Sequence, residues 1–366
     1  MENLEIMKSL NQTYFGKRVF ITGHTGFKGS WLIKILYDLG AVVKGYSLAP
    51  ENEINLYTEI NGDTLCESVI ADLRNREELK KAILNFEPDF VFHLAAQPLV
   101  RLSYEIPSET FEVNAIGTAN LLDAIRLLEK KCIIVLITTD KVYHNNEWDY
   151  PYRENDKLGG YDPYSASKAC CELVIDSYKN SFFNSKLFSQ HQKAIAVGRA
   201  GNVIGGGDWS KDRLIPDIAK ALSANKDIVI RNPKSVRPWQ HVIEPLFGYL
   251  ELAIKLNTDP IRYAQAFNFG PNTYDALSVE EMVKKSIENW GSGNYKSFVD
   301  INSPHEAGLL KLDISKTLNE LNWKPIFNAQ TAVERTIDWY KGYYSGINAR
   351  ELMKLDIEYY KNKNHE

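Results

Sequence analysis

The stretch RVFITGHTGFKGSWL, residues 18–32, decides the fold. RVFIT is a five-residue run rich in β-branched and aromatic side chains, the composition of a strand buried on both faces. Glycines at 23, 26 and 29 follow it, and Ser30-Trp31-Leu32 opens an apolar helical pattern. A strand that turns through glycines into a helix aims backbone amides from the helix N-terminus with no Cβ in front of them, which is what a pyrophosphate needs. An ordinary glycine-rich turn has the same composition; the strand before it and the helix after it favour the anion cradle. Gly23, Thr25, Gly26, Phe27, Lys28 and Gly29 are therefore candidate cofactor contacts.

Outward from this stretch the alternation continues. Runs at 41–46, 67–71, 89–94, 132–138 and 193–197 are short and apolar, while 31–39, 76–85, 110–130 and 163–182 carry helical periodicity. Strand, helix, strand, repeated, predicts right-handed crossovers and a doubly wound parallel α/β sheet. After about residue 200 the rhythm breaks into helices at 214–224, 244–256, 278–290 and 329–344, a strand at 266–270 and a basic, proline-containing stretch at 231–238. The expectation is a smaller C-terminal substrate lobe interleaved with the end of the sheet. Residues 15–204 and 239–270 would form the cofactor domain, 205–238 and 271–350 the lobe, and 351–366 a tail that docks or frays.

The chain has 366 residues, 44% of them hydrophobic, enough for a large core. Its 43 basic and 47 acidic residues leave a net charge of −4, which argues against nucleic acid or an anionic membrane as partner and for a small molecule. Cys66, Cys132, Cys170 and Cys171 show no C-x-x-C spacing, so a reduced cytoplasmic protein is expected, without a disulfide framework or a metal site. The first fifteen residues mix acids with apolar side chains, unlike an export signal, and no run reaches the ~20 apolar residues of a membrane span. His305 and Glu306 lack further ligand spacing and read as structural or ribose-contacting.

The chemistry is carried by TTDK at 138–141 and YSASK at 164–168. Tyr164 and Lys168 lie one helical turn apart on one face, where an ammonium favours phenolate and turns a weak base into a usable one. On its own the pair is a common surface spacing, and its place after the fifth strand is what gives it weight. Asp140-Lys141 adds a carboxyl and an amine, which a local ion pair would also explain. At the end of the second strand, Lys44–Ser47 offers no acid for an adenosine ribose; Lys44 either meets a 2′-phosphate or is simply solvated. Asp72 either accepts from an adenine amino group or caps the turn before Arg74.

Together these segments resemble the extended short-chain dehydrogenase/reductase family, in its nucleotide-sugar dehydratase branch. The likeness rests on GHTGFKGSWL (23–32), HLAAQPLVR (93–101), TTDKVY (138–143), GYDPYSASK (160–168), GNVIGGGDW (201–209), RLIPD (213–217) and RPWQHV (237–242). It implies a Rossmann-like fold, NAD as cofactor, a nucleotide-sugar substrate and a homo-oligomer of two or more chains. Helices 110–130 and 163–182 each have a second apolar face, which suits a dimer interface or burial within the monomer. By the same resemblance Leu73, Leu94, Ala95, Ala96 and Thr138 face the cofactor, and Gln97, Arg101 and Asn202 the substrate. Arg237 matches an arginine that meets the diphosphate, and Arg213 and Arg231 share that load or are solvated. Thr139 matches the hydroxyl that assists Tyr164. Asp140 takes the place of the acid, while Lys141 stands where the related dTDP-sugar enzymes have glutamate, leaving the identity of the second base open. Two rival readings remain, a sugar-nucleotide 4-epimerase and a silent NAD-binding protein; an epimerase has no use for an acid at 140.

Overall fold

The computed structural model describes residues 2–50, 52–211, 213–298 and 309–363, with the side chains of 2–6 left aside. His305 and Glu306 lie outside the described residues. Its centre is a seven-stranded sheet built from β1 (Arg18–Thr22), β2 (Val42–Ser47), β3 (Glu67–Ile70), β4 (Phe90–His93), β5 (Cys132–Thr139), β6 (Lys193–Ala200) and β7 (Ala266–Phe269). The order is β7-β6-β5-β4-β1-β2-β3, and every neighbouring pair is parallel. Chain direction across the sheet reverses between β1 and β4, so the crevice beyond their carboxyl ends is where this topology takes a ligand. β4, β5 and β6 are buried along their whole length, which is why they read as unbroken apolar runs.

Helices cover both faces, giving two apolar cores. One helix, Pro163–Ser181, starts cleanly because Asp162 accepts from the Ser165 amide and Pro163 occupies its first position. The stretch read as one helix over 110–130 is three pieces: Pro107–Phe111, a π turn at Glu112–Ile116 and Gly117–Arg126. The π turn holds Asn114 where its side chain accepts from the Gln97 amide at 2.8 Å and donates to the Gln97 carbonyl and the Ser167 hydroxyl. Such turns insert one residue to aim a side chain. The helix ends at Arg126, and Lys130 beyond it pairs with Asp89 at 2.9 Å.

Three small ribbons build the second half: Val203–Ile204 with Gln240–His241, Val236–Arg237 with Leu277–Ser278, and Ile228–Ile230 with Tyr295–Ser297. The tail docks as a helix, Ala349–Lys363. Tyr360 stacks on Phe247 at 4.8 Å and Asp356 pairs with Arg335, so this helix closes the core beside Ile243–Thr258. Among the described residues no helix is long and apolar enough to cross a membrane, and no group of His, Cys, Asp and Glu could hold a metal ion.

Candidate active site

The glycine loop joins β1 to the helix Phe27–Asp38, whose N-cap, Gly26, offers no side chain to its first-turn amides. Those donors are left for a ligand. A Cβ on Gly29 would lie 2.0 Å from the Gly23 carbonyl, and Gly23, at φ +79, would bring one within 2.7 Å of the Ala95 amide. The loop therefore closes against the 94–96 segment after β4 only as glycine. Thr22 braces that closure: its hydroxyl accepts from the Ala95 amide and meets His93 Nδ1 at 2.7 Å. Thr118 donates to the Asn114 carbonyl, so it accepts from His93 Nε2 and fixes a neutral tautomer. Burial agrees, pushing His93 down to about 3.

At the adenosine end, Lys44 sits three residues before the end of β2, paired with Glu67 at 2.7 Å and lying over the Phe86 ring. It is not aimed at a 2′-phosphate. The β2 end presents hydroxyls: Thr25 meets Ser47 at 2.9 Å and donates to the Leu48 carbonyl. Asp72 holds Arg74 through both carboxylate oxygens and its backbone amide, which keeps the carboxyl below the usual range; this is the capping alternative. Leu73 is buried beside Gly117, and its carbonyl accepts from Asn120.

The carboxyl end of β5 gathers the chemical groups. Thr139 donates to Asp140 Oδ1 at 2.8 Å, and the same oxygen accepts from Lys141 Nζ at 3.2 Å. Lys141 Nζ also donates to Asn202 Oδ1 at 3.3 Å. Asp140 is 1% exposed, and a Cβ on Gly201 would come within 3.4 Å of its other oxygen and 3.7 Å of the Pro238 ring. The Tyr164 phenol stands beside Thr139, whose hydroxyl favours the phenolate. One hydroxyl thus stands between the phenol and the carboxyl.

Burial pushes Tyr164 up to about 12, opposed by the Thr139 hydrogen bond and by the Arg213 charge. Lys168 donates to the Ile137 carbonyl at 3.1 Å. Arg213 reaches this cluster from the second half of the chain, held by Asp208 at 3.0 Å. Lys28 completes it: burial and the nearby charges of Arg213, Lys168 and Lys141 press its amine down to about 7, with Asp140 opposing. Four cationic side chains around one carboxylate suit phosphate oxygens.

Other residues read from the sequence stand differently. Gln97 is 9% exposed, and its amide is occupied by Thr110 and the Leu99 backbone, so it braces the 97–99 turn. Thr138 turns away from the cleft and donates to Glu172 at 2.6 Å. Arg101 lies half-buried on the short helix Val100–Glu105. Arg237 donates to the Val236 carbonyl within its ribbon, and Arg231 directly follows the strand Ile228–Ile230.

Several supporting residues escape sequence reading. Ser103 accepts from the Tyr164 amide at 3.1 Å, and Arg199 grips Glu172 with two bonds of 2.9 and 3.0 Å. Tyr164, Lys168 and Glu172 are spaced i, i+4, i+8, so a second charge buried on the tyrosine face was a usable signal. Glu172 and Arg199 are both under 6% exposed. Arg199→Ala should therefore cost ~3–5 kcal/mol in chemical denaturation by leaving Glu172 buried and unpaired; a loss below about 1 kcal/mol would show that water repairs the site.

A parallel sheet with a glycine cradle after β1 and a Thr-Tyr-Lys set at β5 and its helix defines an extended short-chain dehydrogenase/reductase. The model of the GDP-mannose 4,6 dehydratase family matches residues 20–336, and the chain belongs to that family. It is 48% identical over 345 residues to the CDP-glucose 4,6-dehydratase of Salmonella typhimurium, covering 94% of this chain and 96% of that protein. Among solved structures, a dTDP-glucose 4,6-dehydratase from Bacillus anthracis in complex with NAD superposes with a TM-score of 0.74 at 20% identity, over 92% of this chain and 100% of the other. A UDP-glucose 4-epimerase from Thermotoga maritima does so with a TM-score of 0.75 at 19% identity, over 89% and 99%. The fold is shared by dehydratases and epimerases alike.

Proposed function

We propose that this chain is a CDP-glucose 4,6-dehydratase, converting CDP-glucose to CDP-4-keto-6-deoxyglucose and water. The observation that carries the reading is the buried Asp140, paired with the partly exposed Lys141 and bonded by Thr139 beside Tyr164, an acid and an amine that an epimerase does not need. The 48% identity to the Salmonella enzyme supports the cytidine nucleotide.

Tyr164 takes the proton of the glucose 4-hydroxyl, with Thr139 hydrogen-bonded to the same oxygen. NAD supplies the acceptor for the C4 hydride and later its return to C6. The new ketone acidifies the C5 proton, which Lys141 removes as a neutral amine while Asp140 protonates the departing 6-hydroxyl. Lys141 then gives its proton back to C5. The loop amides of 23–29, with Lys28 and Lys168, would hold the cofactor; the Ser47 and Thr25 hydroxyls suit a free ribose hydroxyl, hence NAD. Arg213, Arg237 and Arg231 meet the substrate diphosphate, and Asn202 orients Lys141 beside the sugar. Residues 15–204 and 239–270 carry the cofactor, and 205–238 with 271–350 the sugar nucleotide. The exposed Ile116 and Leu173, on the helical pieces that carry Asn114 and Tyr164, are read as part of a homo-oligomer contact, and the free cysteines fit a cytoplasmic enzyme.

CDP-glucose deuterated at C4 should yield product with the label at C6, read by NMR. Label left at C4 or lost to solvent would defeat the proposal.

A further inference from the structure

The helix that carries Tyr164 begins with amides that its own turns cannot serve, and each has an acceptor from outside them. Pro163 has no N–H to satisfy. The Ser165 amide donates to the Asp162 carboxylate and the Ala166 amide to the Asp162 carbonyl, both at 2.9 Å. The Tyr164 amide turns elsewhere. It donates to the Ser103 hydroxyl at 3.1 Å, across 61 positions of sequence, and that serine belongs to the short helix Val100–Glu105. Ser103 is fully buried, and its own proton is committed to the Val100 carbonyl at 2.6 Å. The hydroxyl therefore faces Tyr164 only as an acceptor.

Two attachments meet at this tyrosine, and they differ in kind. Ser167, itself held by Asn114, donates to the Tyr164 carbonyl at 2.7 Å and secures the helix one turn further on. Ser103 acts at the tyrosine's own amide. It comes from the segment after β4, so it fixes that residue relative to the crevice where the sheet takes its ligand. A phenol oxygen lies at the far end of a long, stiff side chain. A small rotation at the amide becomes a displacement of the hydroxyl, and ~1 Å of misplacement costs about 10²-fold in rate. The carboxyl and amine of the elimination step ride instead on the turn Asp140–Val142, where Thr139 and Asn202 hold them.

We propose that Ser103 is a positioning residue for Tyr164, capping the tyrosine's amide from a separate element and so setting where the phenol meets the substrate 4-hydroxyl. Its part is to aim, with no proton passing through it. The role rests on the dehydratase reading, in which Tyr164 opens the reaction by taking the O4 proton. It carries a selective fingerprint. Without the serine oxygen, oxidation at C4 slows while cofactor binding, loss of water and hydride return are kept, because the phenol acts in the first step and the Asp162 cap preserves the helix start.

The test uses the full-length enzyme with NAD, as Ser103→Ala, Ser103→Thr and Ser103→Ala combined with Tyr164→Phe. In single turnover with CDP-glucose, Ser103→Ala should form reduced cofactor ~10- to 10²-fold more slowly than native. Ser103→Thr keeps the oxygen and should recover most of that rate. Deuterium at C4 should slow overall turnover of the alanine variant more than that of the native enzyme, since oxidation has become its slow step. NAD affinity, read by calorimetry, should stay within about threefold of native. With Tyr164→Phe there is no phenol left to aim, so the double variant should oxidise no more slowly than Tyr164→Phe by itself. An alanine variant within about twofold of native, a threonine variant as slow as alanine, or a loss that recurs in full on the Tyr164→Phe background would overturn the positioning role. Loss of NAD binding by both single serine variants would overturn it too, by assigning the hydroxyl to the fold. A native enzyme that forms no ketone would overturn the dehydratase reading as well, whereas one that turns over beside an unaffected alanine variant sinks the serine's role alone.

Discussion

Tyr164→Phe should slow C4 oxidation by ~10²- to 10⁴-fold while cofactor binding stays close to native. The phenol is the group placed to take the 4-hydroxyl proton, and its backbone is held from two sides: Ser103 accepts from its amide and Ser167 donates to its carbonyl. Phenylalanine keeps the packing and removes only the oxygen. The reactive form is the phenolate, and burial holds the phenol up to about 12. Native oxidation should therefore rise with pH through the neutral range, approaching tenfold per unit where no other group limits it. In the variant that slope should disappear along with the rate. Single-turnover formation of reduced cofactor, read by absorbance across pH, measures both. A variant that oxidises within about tenfold of native would take the tyrosine out of the chemistry.

Lys168 makes the pH slope informative. The four-residue spacing led to the expectation that its ammonium tunes the phenol, yet its amine is tied to the Ile137 carbonyl. The forces opposing burial at the phenol come from Thr139 and Arg213, and Arg213 is 49 positions away in the chain. Such long-range partners are what a local pattern cannot supply. The sheet was legible because its strands are apolar on both faces and its turns carry glycines, so period and punctuation agree. The catalytic cluster was legible because β5 delivers Thr139, Asp140 and Lys141 in succession and the next helix begins just before Tyr164. What local periodicity missed were long-range pairings. A helical period at 110–130 cannot announce a π turn whose reason is Gln97, and a strand lysine such as Lys44 does not reveal that Glu67 neutralises it. For Asp72 the sequence left adenine contact and turn capping open, and the fork it makes to Arg74 is a side-chain geometry that no local pattern announces.

Asp140→Asn should separate the two halves of the reaction. Asparagine fills the same space beside Gly201, so the loop Asp140–Val142 and the Thr139 contact have no steric reason to move. What is lost is an ionisable proton for O6. Oxidation at C4 uses Tyr164 and the cofactor, not the carboxyl, and should fall by no more than about tenfold. Water loss should fall by ~10²- to 10⁴-fold. The variant should then accumulate reduced cofactor and the 4-keto hexose that still carries its 6-hydroxyl, a pairing that native turnover consumes. Rapid quench with mass spectrometry distinguishes that species from product by the mass of one water. Lys141, 3.2 Å from Asp140, is itself unaltered by the substitution. Exchange of the C5 proton with deuterated solvent should therefore persist in the variant even as expulsion of O6 stalls. Equal loss of oxidation, C5 exchange and water release would instead assign Asp140 to holding the site together, and the acid for O6 would have to be sought in another residue.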